Sequence, residues 1–192
     1  MTGGAARRQD GGVSDVPVVV SERLILRGWR EDDRNGFATM NADPRVMEHF
    51  PGTLTRAQSD AFVDRVLGDW SRGYGLWAVE ERATGRFIGF IGLAAPAFEA
   101  HFTPAVEVGW RLAYESWGRG YATEGARASL SWARDNITPP RGEIVSFTTI
   151  RNVRSRHVME KLGFTHRDDD DFDHPAVPDG EWRRHVLYRR AL

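Results

Sequence analysis

The segment Trp117-Gly118-Arg119-Gly120-Tyr121-Ala122-Thr123 places two glycines and one arginine between a strand-like stretch and a helix-like one. Glycine lets a backbone come close to a ligand, and the first N–H groups of a helix have no partner inside it, so this junction suits an anion. Arg119 is the only charged side chain from Ser116 to Thr123, and its sign matches. Pyrophosphate is the anion such a junction would hold. The tripeptide Gly-Arg-Gly alone fits an ordinary loop entering a helix better than a binding site, and Thr123 stands where a dinucleotide-binding fingerprint needs its third glycine.

Composition excludes several other chemistries. The chain has no cysteine, which removes disulfides, thiolate metal sites, iron–sulfur clusters and a cysteine nucleophile. Its one lysine, Lys161, is followed by Leu162, so a phosphate loop of the Gly-Lys-Ser/Thr type is out. The six histidines form neither an i, i+4 pair nor a His-x-Glu cluster, and no metal site is expected. With 26 basic and 27 acidic residues, no overall field draws the chain to nucleic acid or to an anionic membrane. The longest stretch without a charged residue runs from Phe87 to Phe98, shorter than the roughly 18 residues that span a bilayer. The start lacks the apolar segment of a signal peptide, and a cytoplasmic location is expected.

The elements around the junction follow from periodicity. Residues 1–16, rich in Gly, Arg and Asp, read as a disordered tail, and 17–192 as one domain. Residues 22–27 have strand composition; a short helix starts at Glu31-Asp32-Asp33 and ends near Asn41. Thr55 predicts an N-cap for a helix carrying Phe62, Val66, Leu67 and Trp70 and closing at Gly73. Strands at 76–80 and 87–93 flank the turn Thr84-Gly85, and a third, 106–112, alternates with period two, with a bulge expected at Gly109. A helix with the small-residue face Ala122, Ala126, Leu130 and Ala133 runs from Gly120 to before Pro139-Pro140. A strand at 144–150, a helix at 153–162 capped by Gly163, and two last strands at 164–166 and 185–188 complete the order. The fold class is mixed α/β with one central sheet.

Val106 to Ala133 resembles the cofactor-binding segment of the GNAT acyltransferase superfamily, whose pattern Gln/Arg-x-x-Gly-x-Gly/Ala is met by Gly120 and Ala122, with Trp117 departing at the first position. Trp117 to Glu124 is similar to the Trp-Gly-x-Gly-Tyr-Ala-Thr-Glu string of the RimJ/RimL-type ribosomal-protein N-acetyltransferase branch. Asn152-Val153-Arg154-Ser155 and Glu160-Lys161-Leu162-Gly163-Phe164 resemble a second pair of elements of that branch, in the same order. The resemblance implies a mostly antiparallel sheet of about seven strands with about four helices, splayed between the fourth and fifth strands, at 106–112 and 144–150. It implies acetyl-CoA as co-substrate. Trp110 and Leu112 would face the acyl arm, Trp117, Gly118, Arg119, Gly120, Tyr121, Ala122 and Thr123 the pyrophosphate, and Asn152 the pantetheine. Asn152 is equally a helix cap.

The implied reaction is direct transfer of acetyl to a primary amine in a ternary complex, because no cysteine is present to form an acyl-enzyme. Where many members carry an acidic tyrosine, the nearest residue here is Met159, which leaves Ser155 as candidate acid and Glu107 as candidate base; both also read as plain polar residues on a helix and a strand. Glu48, His49 and Phe50 lie where the family shapes its acceptor pocket. The run Asp168-Asp169-Asp170-Asp171 with Asp173, then His174, reads as an extended loop that attracts a cationic amine, or as a solvated one. The expected partner is an amine: a protein N-terminus first, then a small amine, polyamine or antibiotic, with a homodimer left open. A non-catalytic acyl-CoA sensor is the rival class.

Overall fold

A computed structural model describes residues 16–192. The expected tail therefore lies outside the described residues except for Val16, which packs against the core. Nine strands form one sheet: β1 (Val19–Val20), β2 (Leu24–Arg27), β3 (Leu76–Glu81), β4 (Arg86–Ala94), β5 (Val106–Leu112), β6 (Glu143–Thr149), β7 (Thr165–His166), β8 (Phe172–Asp173) and β9 (Arg184–Ala191). The order is β1-β2-β3-β4-β5-β6-β9-β7, with β8 also on β9, and among the described residues β5–β6 is the one parallel pair. The seven expected strands are all present. The two additional ones, β1 and β8, are two residues each, too short for alternation to reveal them.

Among the described residues four α-helices cover the sheet: α1 (Asp33–Ala42), α2 (Arg56–Asp69), α3 (Tyr121–Asn136) and α4 (Val153–Lys161). Thr55 caps α2 through a complete capping box with Gln58, and α2 ends in a 3₁₀ turn closed by Gly73 at φ +85°. The end of α4 is a Schellman motif, Gly163 N–H donating to Glu160 O and Phe164 N–H to Met159 O. On one sheet face, α3 and α4 bury Ala126, Leu130, Ala133, Met159 and Leu162 against Trp77, Ile91, Val108 and Leu112. On the other, α1 and α2 bury Phe37, Met40, Val63 and Val66 against Leu76 and Phe90, while Phe102, Val145, Phe172 and Leu187 form a second cluster beside them.

The small-residue face of α3 sets its height over the sheet. A Cβ at Gly125 would stand 2.4 Å from Ile91 Cδ1, so the helix packs closer there than any side chain permits. At the start of α1, Arg27 is 6% exposed and bonded to Asp33 (2.7 Å) and Glu80 (2.8 Å), pinning the helix to β2 and β3.

Candidate active site

The sheet opens between β5 and β6. The two strands pair only at Val106↔Ile144 and Glu107↔Val145; beyond, they part while β5 stays paired with β4 as far as Leu112. The Ser146 hydroxyl closes the vertex by donating to the Val108 carbonyl at 2.9 Å. From Gly109 to Leu112, the β6-side edge of β5, including Trp110, therefore has no strand partner. The expected bulge at Gly109 is absent. The β4–β5 register runs unbroken through Gly92↔Gly109, and the irregularity lies instead at Val79/Glu80, opposite Gly89 at φ +132°. Divergence of β6, not extra length in β5, makes the wedge.

At the open end of the wedge the 117–123 loop enters α3. Gly118 and Gly120 have φ of +72° and +81°, conformations that glycine adopts without a Cβ clash. Gly120 caps α3 with no side-chain acceptor, and the backbone N–H groups of residues 118–123 make no hydrogen bond among the described residues. Such a row of donors at a helix N-terminus fits a pyrophosphate. The Trp117 indole N–H donates to the Leu112 carbonyl at 2.8 Å, tying the loop to the strand end. The Arg119 guanidinium pairs with Glu81 at 3.0 Å and lies over the Tyr121 ring, while the buried Tyr121 hydroxyl donates to the same carboxylate.

The far wall of the wedge is the start of α4. Asn152 is its N-cap: Oδ1 accepts from Ser155 N–H at 3.1 Å and Nδ2 donates to Thr148 Oγ1 at 2.9 Å. The Ser155 hydroxyl makes no hydrogen bond among the described residues, and Met159 is buried in the core. Arg154 lies over the Trp117 ring at 5.1 Å and bonds to Glu48 Oε2 at 3.2 Å, so the α1–α2 connection, α4 and the 117–123 loop meet around the mouth. Pro44, Arg45, Glu48, Tyr114, Trp117 and Arg154 line a cavity of about 390 Å³ there.

Glu107 occupies the other sheet face, where β5 presents Glu107, Gly109 and Arg111. The Glu107 side chain has no hydrogen bond or ion pair among the described residues. Water still reaches it, yet it lies so deep that desolvation pushes its carboxyl up to about 8. Gly109 beside it leaves open floor, the nearest atom to a Cβ there being Glu107 Oε1 at 3.6 Å. On the β6 side, Phe98, Phe147, Phe172, His174 and His185 form an aromatic wall, with the His174 and His185 rings 5.0 Å apart. Burial, and then the neighbouring His185, push the His174 imidazole down to about 4.

The remaining expected acceptor residues divide. Phe50 is the rim of this face, 4.4 Å under the Arg111 guanidinium. Burial lowers the His49 imidazole, with Glu48 opposing. The Glu48 carbonyl accepts from the Trp182 indole at 3.3 Å, joining the α1–α2 connection to the segment before β9. Asp173 pairs with Arg184 at 3.4 Å. The acidic run is a 3₁₀ turn at Asp168–Asp170, not an extended loop, and two of its carboxylates are engaged: Asp170 pairs with Arg189 at 2.9 Å and Asp171 hydrogen-bonds with His166 at 2.7 Å. Sequence reasoning missed Arg111, Phe98, Phe147 and His185. Arg111 was legible in the strict alternation of β5, which sets it on the same face as Glu107.

A wedge between one parallel strand pair, a row of free N–H groups at its mouth and a desolvated carboxylate on its reverse face fit an acyl-CoA enzyme, and the acetyltransferase (GNAT) domain family model matches residues 23–165. The chain belongs to the GNAT acetyltransferase family. FsC-acetyl coenzyme A-N(2)-transacetylase of Aspergillus fumigatus is 34% identical, over 92% of this chain and 78% of its own. A solved acetyltransferase from Agrobacterium tumefaciens superposes with a TM-score of 0.71 at 26% identity, covering 96% of this chain and 99% of the other. The ribosomal-protein-S5-alanine acetyltransferase from Vibrio fischeri superposes with a TM-score of 0.67 at 16% identity, over 91% and 96% of the two chains, a likeness of fold. This GNAT protein is thus an N-acetyltransferase.

Proposed function

We propose that this GNAT protein transfers acetyl directly from acetyl-CoA to a primary amine, with a protein N-terminus as the leading acceptor class and small amines as the second. The observation that carries the reading is the two-sided wedge: free backbone donors at 118–123 and an unpaired β5 edge on one side, Glu107 on the other. The Aspergillus relative, whose name specifies acetyl coenzyme A, supports the donor. The motifs at 117–124 and 152–164 support the RimJ/RimL-like branch, and the absence of cysteine is consistent with a reducing, cytoplasmic setting.

Bound acetyl-CoA supplies an activated acetyl thioester. The N–H groups of 118–123 hold its pyrophosphate, and the free β5 edge offers donors and acceptors for the pantetheine amides. Glu107 takes a proton from the attacking amine, directly or through water, as the C–N bond forms. Ser155 gives a proton to the sulfur as the C–S bond breaks and recovers one from solvent. The deciding experiment incubates the purified chain with acetyl-CoA and a panel of N-terminal peptides, polyamines and small amines, following free thiol and acetylated product. Tight CoA binding with no thiol release for any amine would show a sensor instead.

A further inference from the structure

The face of β5 that carries Glu107 ends in a cation with no counter-charge. Arg111 lies four positions beyond Glu107 on that face, about 13 Å along the strand. Its guanidinium is caged by Phe50 (4.4 Å), Phe90 (5.6 Å) and Phe62 (5.7 Å). Nη1 donates to Asn41 Oδ1 at 2.8 Å, and Asn41, fully buried, is held in turn by its amide on Ser59 Oγ. Among the described residues no carboxylate lies within ion-pair distance of Arg111, and its Nε is buried with no partner. Desolvation lowers the group to about 10, which leaves it charged at neutral pH.

The chain treats its other interior guanidinium differently, flanking Arg27 with Asp33 and Glu80. Packing among three phenylalanines does not call for a charge, since an apolar side chain of similar volume would fill that space without the desolvation cost. A caged cation with one orphaned donor, facing the same way as the candidate base, points to an anion brought by the ligand. The bond to Asn41 occupies Nη1 and Nε is enclosed, which leaves Nη2, unbonded among the described residues, to donate to an anionic oxygen such as that of a carboxylate. The floor between Arg111 and Glu107 is Gly109, which has no side chain to block a molecule spanning them. Phe50, the outer wall of the cage, is 38% exposed and belongs to the α1–α2 connection at the rim of the acceptor face.

We infer that the acceptor is an amine that also bears a carboxylate, and that Arg111 takes this carboxylate through Nη2 while Glu107 serves the amine. Free amino acids and acidic peptides share that chemistry. The inference rests on the reading of the chain as an amine acetyltransferase. The test compares matched acceptors with acetyl-CoA and the full chain: free amino acids against their carboxamides, and peptides with an acidic residue near the amine against the amidated peptides. The more strongly preferred pair identifies the source. Wild type should favour the carboxylate member by about 10- to 100-fold in kcat/KM, the range expected of a charge-assisted bond. Arg111→Gln should abolish the preference while leaving the affinity for CoA unchanged. Arg111→Lys, which keeps the charge but moves the donor, should retain only a small part of it and serves if the Gln variant does not fold. Binding of an N-acetyl amino acid against its amide, by calorimetry on the CoA-bound protein, reads the same preference without turnover, so an inactive preparation does not hide it. Equal use or equal binding of both members by wild type, or a preference that survives in both variants, overturns the proposal; thiol release from neutral amines alone overturns it while leaving the acetyltransferase reading intact.

Discussion

The Ser146 hydroxyl donates to the Val108 carbonyl at the point where β5 and β6 part. Ser146 is 2% exposed and Val108 fully buried, so a side chain takes over from the main-chain ladder at the first position the ladder cannot reach. Ser146→Ala leaves that carbonyl unsatisfied and should lower unfolding stability by about 1–3 kcal/mol. Denaturant unfolding with an unchanged slope is the expected record; full stability in the Ala variant would mean that the vertex is held by the strands alone.

As the base proposed above, Glu107 should give the enzyme a pH profile. Its carboxyl, raised to about 8, is mostly protonated at neutrality, so the basic form accumulates and kcat/KM rises as pH climbs through about 8. An acceptor whose own amine is neutral across the range isolates this limb, and Glu107→Gln should lower turnover by about 100-fold or more and flatten it. The same shift affects stability with the opposite trend: a carboxyl raised in the folded state favours folding below its ordinary value near 4.5 and loses that contribution as pH rises toward 8. The Tm of wild type should therefore fall relative to Glu107→Gln over that window.

Ser155→Ala should reduce kcat by about 10- to 100-fold and leave CoA affinity within about twofold, because its hydroxyl supports no other bond among the described residues. The backbone N–H that donates to the Asn152 cap survives the change. A parallel loss of affinity and turnover would assign Ser155 to binding.

Gly120→Ala tests the anion site without touching a side chain. Its φ of +81° costs an L residue about 1 kcal/mol or more, and a Cβ there meets nothing closer than Arg23 Nη2 at 3.5 Å, so strain rather than collision is the consequence. CoA should bind about 5- to 10-fold more weakly, measured by calorimetry, whereas Arg119→Ala, whose guanidinium is engaged by Glu81, should change affinity less.

Asp33→Ala removes one side of the interior Arg27 pair and leaves a charge in the core with only Glu80 beside it, a change expected to cost about 3 kcal/mol. The Arg27→Met, Asp33→Leu double variant should recover part of that loss in the same unfolding measurement.

The capping box at Thr55, the Gly163 cap and the small face of α3 were legible because each is a local arrangement whose physics is complete within a few residues. The same holds for the donor row at 118–123. What escaped was set by distant partners. Nothing near Arg119 announces Glu81, which β3 brings 3.0 Å away, and nothing in four consecutive aspartates shows that Arg189 and His166 will engage two of them. Gly109 reads as a bulge in isolation, but only the pairing on both sides of β5 shows that the strand is regular and its neighbour diverges.

Gly125 touches no ligand-binding residue, yet α3 rests on it like a beam on its fulcrum. The 2.4 Å clearance that a methyl group would meet at Ile91 Cδ1 fixes the beam at a point about one turn from the end that carries the free N–H groups. Any added bulk would tip that end relative to the wedge vertex. The spacing between the N-terminal end of α3 and the wedge vertex is thus set by a missing side chain on the sheet-facing side of the helix.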